Sequence, residues 1–138
     1  MKPTENYRRQ HNEIVDIARK IEAGIAPGKL PAGTGDMRGL MTTLAGKLNV
    51  HLAMEDDALY PRLKDHSDPK VRELATRFST EMSTIKPVVQ SYMTKWSDAG
   101  IRANPAEFTS DTKKLLGALA DRIQRENNEL YVAVDNAG

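Results

Sequence analysis

The chain has 138 residues, in which 20 Lys and Arg balance 19 Asp and Glu to a formal net charge of +1. Without a charge imbalance or a run of like charge, the composition argues against a nucleic-acid-binding protein. Cysteine is absent, which excludes disulfides and thiolate metal sites and is typical of a cytoplasmic protein. No apolar stretch is long enough for a membrane span, so we expect no membrane association. The length predicts a single domain over residues 1–138.

Apolar residues recur at steps of three and four along the chain, as they do on one face of an amphipathic helix. Four such stripes are separated by short polar or Pro/Gly-rich segments at 26–33, 65–68 and 97–100. Short loops favour antiparallel neighbours, so the sequence predicts an all-α fold, an up-down-up-down antiparallel four-helix bundle. The stripes are Ile14, Ile17, Ala18, Ile21 and Ile25; Leu40, Leu44, Leu48, Leu52, Leu59 and Leu63; Leu74, Phe78, Ile85, Val88, Val89 and Tyr92; and Leu115, Leu119, Ile123, Leu130 and Val134.

Proline and capping chemistry predict where the later helices bend and begin. Pro87 cannot donate to the carbonyl of Ser83, so it should kink the third helix. The segment 97–100 is expected to end that helix. Asn104 followed by Pro105 is typical of a capping residue and a first helical residue, and is expected to open the fourth helix.

The two halves of the chain match in one ungapped frame. A shift of 71 residues places helical and polar positions of the first half on those of the second. Because a Gly, a Glu and a Tyr match as well as the leucines, the frame indicates an internal repeat of two helices with a pseudo-twofold axis. The matching pairs include Leu44 with Leu115, Gly46 with Gly117, Glu55 with Glu126, Leu59 with Leu130 and Tyr60 with Tyr131.

Two histidines and a glutamate fall on the inner faces of the first two helices. His51 and Glu55 are four residues apart on one helical face, between core positions, and His11 lies at the inner edge of the first helix. A carboxylate in a bundle core is costly unless it is paired, hydrogen-bonded or bound to a metal. Two imidazoles and a carboxylate are suitable ligands for Fe, Mn or Zn. The alternative is a pair of hydrogen-bonded histidines, with Glu55 an ordinary helix residue.

These residues resemble the hemerythrin-like (HHE cation-binding) family. The resemblance rests on the His in Gln-His-Asn-Glu-Ile at 10–14 and on His-Leu-Ala-Met-Glu-Asp-Asp-Ala-Leu-Tyr-Pro at 51–61, and it covers nearly the whole chain, including the repeat. It implies a four-helix bundle around a non-haem di-iron site. It also implies a small module that binds or senses oxygen, nitric oxide, peroxide or iron and is not an enzyme.

The sequence departs from that family pattern in its second half. There the family repeats its ligands, but Met82 stands opposite His11 and Arg122 stands opposite His51, while Glu126 matches Glu55. With two imidazoles missing, we expect a reduced site in place of a full di-iron centre. One ion, Zn or Fe(II), would be held by four residues: His11, His51, Glu55 and Glu126.

A competing hypothesis makes the protein free of metal. In it, the Arg122 guanidinium lies on the inner face, satisfies Glu55 and Glu126, and supplies the positive charge of the missing ion. The protein would then be an interaction or regulatory bundle with a protein partner or a second copy of itself. Removing Arg122 should then cost about 3 kcal/mol or more, because two buried carboxylates lose their partner.

A third hypothesis is a phosphotransfer module, which needs an exposed histidine followed by small and basic residues. His11 and His51 lack that context. The remaining histidine, His66, lies in a predicted turn and is expected to be a surface residue. Tyr60 and Tyr131 flank the polar cluster symmetrically, so they either hydrogen-bond to it or pack beside it.

Overall fold

The computed structural model describes residues 3–27 and 34–137, and over these ranges the chain is helical without a strand. The all-α prediction is therefore confirmed, while most of the predicted loop at 26–33 lies outside the described residues. The α-helices are α1 (Glu5–Gly24), α2 (Thr34–Met54), α3 (Tyr60–Lys64), α4 (Pro69–Met82), α5 (Ile85–Lys95), α6 (Asp98–Ala103), α7 (Pro105–Arg125) and α8 (Tyr131–Ala137).

Two single π-helical turns join α2 to α3 and α7 to α8. They span Glu55–Leu59 and Glu126–Leu130, so they start 71 residues apart, at the offset of the predicted repeat. In each turn the first Glu and the last Leu are buried. Sequence periodicity predicts continuous α-helix here, and π-turns of this kind are frequent at functional sites.

The chain breaks between α4 and α5 as its proline predicts. Helix α4 ends at Met82 and α5 begins at Ile85, so the break includes Ser83. Pro87 has no N–H to donate to the Ser83 carbonyl, so the α-helical hydrogen bond is missing at this point.

The following segments differ in two details from the prediction. Helix α5 already ends at Lys95, and residues 97–100 begin the short helix α6, which Ser97 caps by accepting a hydrogen bond from the Gly100 N–H (3.1 Å). Pro105 opens α7 as predicted, but the Asn104 side chain makes no capping hydrogen bond.

The helices pack around one apolar core that contains nearly all of the predicted stripes. Helix α1 packs against α2 and α7, α3 packs against α4, and α2 also contacts α5 and α6. The prediction is wrong for Val88, which is 53% exposed, while its neighbour Val89 is buried. Beyond α5, Trp96 is buried against Phe108 and donates its indole N–H to Asp111 (3.1 Å). None of the described helices combines the length and apolarity that a bilayer crossing requires.

Candidate metal centre

Three predicted ligands converge inside the core from three different elements. The Nε2 atoms of His11, on α1, and His51, on α2, lie 2.9 Å apart. Oε1 of Glu126, on the second π-turn, lies 2.9 Å from the first of these nitrogens and 3.6 Å from the second. All three side chains are 1% exposed or less. The donor atoms fall within 4.8 Å of one another, a grouping suited to a metal ion.

Glu55 is the fourth metal ligand that the sequence predicts. Its Oε1 lies 3.2 Å from Nε2 of His51, and its Oε2 accepts a hydrogen bond from Tyr131 (2.8 Å). The residue is fully buried, and Oε1 has no hydrogen-bond donor. A buried carboxylate oxygen without a donor is costly, so this atom fits a site for a cation.

The outer nitrogens of both imidazoles are held by side-chain amides. Nδ1 of His11 lies 2.8 Å from Oδ1 of Asn127, and Nδ1 of His51 lies 2.7 Å from Oε1 of Gln10. An amide oxygen only accepts, so each Nδ1 donates and carries the proton. Both Nε2 atoms therefore face the same small volume beside Glu126, which is the orientation that histidines have when they bind a metal through Nε2.

The two tyrosines hydrogen-bond across the pseudo-twofold axis. Tyr60 follows Glu55 in the sequence but donates to Oε2 of Glu126 (2.9 Å), whereas Tyr131 donates to Glu55. Burial and the nearby carboxylates raise the pKa of both phenols well above the usual range. Of the two alternatives that the sequence left open for Tyr60 and Tyr131, the structure shows hydrogen bonds to the carboxylates.

The charges of the cluster favour an added positive charge. Burial alone would lower the pKa of His51, but the adjacent carboxylates of Glu126 and Glu55 outweigh burial and raise that pKa to about 9. Burial raises the pKa of Glu55 to about 8. For Glu126, burial acts in the same direction, yet hydrogen bonds from His11 and His51 hold the pKa well below its usual range. The same field that binds a proton here would bind a metal cation.

Arg122 does not occupy this cluster, so the hypothesis that it replaces the ion is wrong. Its side chain is 28% exposed, and Nη1 lies 3.6 Å from Oε2 of Glu81 on α4. Arg125 shares that carboxylate (3.0 Å). The long side chain reaches toward a partly exposed carboxylate at the edge of the core, although its Nη1 atom is itself buried and makes no hydrogen bond within the described part of the chain. Met82, the other departure from the family pattern, is buried with the core apolar residues.

His66 lies outside the centre, as the sequence predicts. Its Nδ1 accepts a hydrogen bond from the Asp68 N–H (2.9 Å) in the turn before α4. Sequence reasoning missed Gln10 and Asn127, although each is adjacent in sequence to a predicted ligand, His11 or Glu126. That adjacency is the signal that could have identified them.

The fold and the donor set together define an all-helical cation-binding domain. The hemerythrin HHE cation-binding domain matches residues 2–134. The chain belongs to this family, and the resemblance drawn from the two motifs is confirmed. Comparison with curated proteins and with solved structures gives no match.

Proposed function

We propose that this protein is an up-down-up-down four-helix bundle that binds one metal ion, iron or zinc, through His11, His51 and Glu126, with Glu55 at its edge. One observation carries the proposal: Nε2 of His11, Nε2 of His51 and Oε1 of Glu126 converge within 4.8 Å of one another, while Asn127 and Gln10 hold both Nδ1 atoms on the outside. Two imidazoles and carboxylates are a donor set for either metal.

A single ion accounts for the second half of the chain better than two. The positions that would supply the other imidazoles hold Met82, which packs in the apolar core, and Arg122, which pairs with Glu81. Neither offers a nitrogen lone pair. The imidazoles therefore come from α1 and α2 alone, and we do not propose a full di-iron centre.

We propose a sensing role rather than an enzymatic one, in the cytoplasm. Bound iron would supply an open coordination position for oxygen or nitric oxide and a redox state that responds to them. The residues of the chain bury that position, hold the imidazoles in one tautomer and keep the carboxylates oriented. Iron availability itself is the other signal that such a site would report.

Metal analysis of the purified protein tests the proposal. The protein is purified without a histidine tag after growth in iron- or zinc-supplemented medium, and its metal content is measured by ICP mass spectrometry. We expect close to one ion per chain in the wild type and in His66→Ala, and a large loss in His11→Ala. The two variants remove the same side chain, once from the turn and once from the cluster.

A metal content near zero in the wild type under both conditions would reject the metal site. It would favour the metal-free interaction bundle, with a protein partner or a homodimer. An equal loss in both histidine variants would show that the metal is held outside the cluster.

A further inference from the structure

The hydroxyl of Tyr131 lies among the proposed ligands. Its Oη is 3.4 Å from Nε2 of His11, 3.4 Å from Nε2 of His51 and 3.3 Å from Oε1 of Glu126. The side chain is fully buried. A phenol oxygen that contacts three metal-ligating atoms at once lies at a fourth corner of the same site.

These four atoms form a compact tetrahedron with edges from 2.9 to 3.6 Å. The other three edges are 2.9, 2.9 and 3.6 Å, so the mean edge is about 3.2–3.3 Å, and its centre lies about 2.0 Å from each corner, the length of a Zn–N or Zn–O bond. Glu55 does not belong to this tetrahedron. Its Oε1 contacts His51 (3.2 Å) but not His11, and its Oε2 accepts the hydrogen bond from Tyr131.

We propose that Tyr131, as a phenolate, is the fourth metal ligand beside His11, His51 and Glu126, which rests on the metal-binding function proposed above. If an ion bound there, the O–H bond of Tyr131 would break and its proton would form an O–H bond with Oε2 of the ionised Glu55 carboxylate, 2.8 Å away. A divalent ion would then be balanced by two anionic ligands, Tyr131 and Glu126, and Glu55 would be neutral. The ion and its ligands would together carry no net charge, which suits their apolar surroundings.

The pseudo-symmetric Tyr60 has a different place. It donates to Oε2 of Glu126, the oxygen that does not contact the imidazoles. It therefore orients the carboxylate and is not a ligand. The two tyrosines are buried to the same extent and each bonds one carboxylate, so they form a matched pair of variants.

Ferric iron, supplied as ferric citrate, is the probe because a phenolate bound to Fe(III) gives a visible charge-transfer band. We measure the absorption and resonance Raman spectra of the wild type, Tyr131→Phe and Tyr60→Phe, with the iron content of each sample. The wild type should show the band and the Raman modes of a coordinated phenolate. Tyr60→Phe should keep both, and Tyr131→Phe should lose both.

The Raman spectrum of the wild type needs no variant, so the result does not depend on how well Tyr131→Phe folds. Wild-type protein with one ferric ion and no phenolate modes would overturn the assignment of Tyr131 while leaving the metal site in place. Loss of the band in Tyr60→Phe and its retention in Tyr131→Phe would also overturn it. A wild type that binds no iron or zinc would reject the proposed function itself.

Discussion

At the scale of single residues, the centre depends on which nitrogen of each imidazole carries the proton. Asn127 and Gln10 accept from the Nδ1 atoms, so the Nε2 atoms face the inside of the cluster. Both amides belong to the elements that carry the ligands, the second π-turn and α1. A substitution of either amide would therefore alter the binding of the proposed metal through a histidine, without removing a ligand.

Replacing Asn127 with Ala should lower the metal affinity by about 10- to 100-fold, because His11 loses the acceptor that fixes its tautomer and ring orientation. The affinity is measured by competition with a chromophoric chelator. Asn128→Ala is the matched control, since Asn128 is the exposed next residue of the same turn and should bind as the wild type does. Equal affinity in the two variants would show that the amide of Asn127 has no part in orienting the imidazole.

The position of Arg122 leads to a prediction about stability. Arg122→Leu should change the free energy of unfolding by about 1 kcal/mol or less, because the ion pair with Glu81 is partly exposed and Arg125 still neutralises that carboxylate. Urea denaturation measures the change. A loss of about 3 kcal/mol would instead restore Arg122 as the partner of buried carboxylates.

At the scale of elements, the π-turns place a Glu and the Tyr five residues later on the same inner face. In an α-helix residue i+5 is rotated by about 140° from residue i, because each residue turns about 100°. The wider turn at Glu126–Leu130 reduces that rotation and brings Tyr131 to 3.3 Å from Oε1 of Glu126. The turn thus serves the site at the expense of regular helical hydrogen bonding.

Helices α1 and α8 are joined at the N-terminus of α1 by one carboxylate. Asp135 accepts from the backbone N–H (3.3 Å) and the hydroxyl (2.8 Å) of the buried Thr4, and it pairs with Arg8 (3.5 Å). Negative charge at this end of a helix is stabilising, because the free N–H groups point toward it. The same Arg8 donates to the carbonyl of Asn127 (3.2 Å), which links this joint to the buried His/Glu cluster.

Asp135→Ala should lower the free energy of unfolding by about 1–3 kcal/mol, because Thr4 is left buried without its acceptor. Chemical denaturation measures the loss. Asp16→Ala removes an exposed aspartate from α1 and should have little effect. If the two substitutions cost the same, the joint between α1 and α8 contributes nothing to the folded state.

At the scale of the whole molecule, the polar centre and the apolar core compete for the same interior. Burying two histidines and two glutamates destabilises the folded state relative to an apolar core. This cost is offset only when the charges pair with one another or bind a cation. Bound metal should therefore stabilise the bundle as well as occupy the site.

Metal should raise the free energy of unfolding by about 2.7 kcal/mol when the free ion is at 100 times its dissociation constant. Thermal unfolding with zinc and then with excess chelator measures the difference, which should vanish in Glu126→Ala. An unchanged melting temperature in the wild type at saturating zinc would contradict a site that forms only in the folded chain.

The sequence alone determined the helical class, the family and the two histidines and two glutamates of the cluster. The period of the apolar residues and the positions of the prolines predict the helices. The spacing along each helix also places four polar residues on inner faces: His11, His51, Glu55 and Glu126. Those are local properties, and the repeat frame extends them to the second half. For Val88, at the margin of its stripe, the same local reasoning was wrong.

Only the tertiary structure decided what lies next to what. Arg122 could point inward or outward from its helix, and its choice of Glu81 depends on where α4 packs. Each tyrosine hydrogen-bonds to the glutamate of the other half of the chain, and these contacts depend on the two π-turns. A π-turn rotates the helix that follows it, and this rotation cannot be read from the spacing of apolar residues. The acceptors of the Nδ1 protons are likewise set by contacts between separate elements. Spacing fixes the face of a helix, but only packing fixes the atom that a side chain meets across the core.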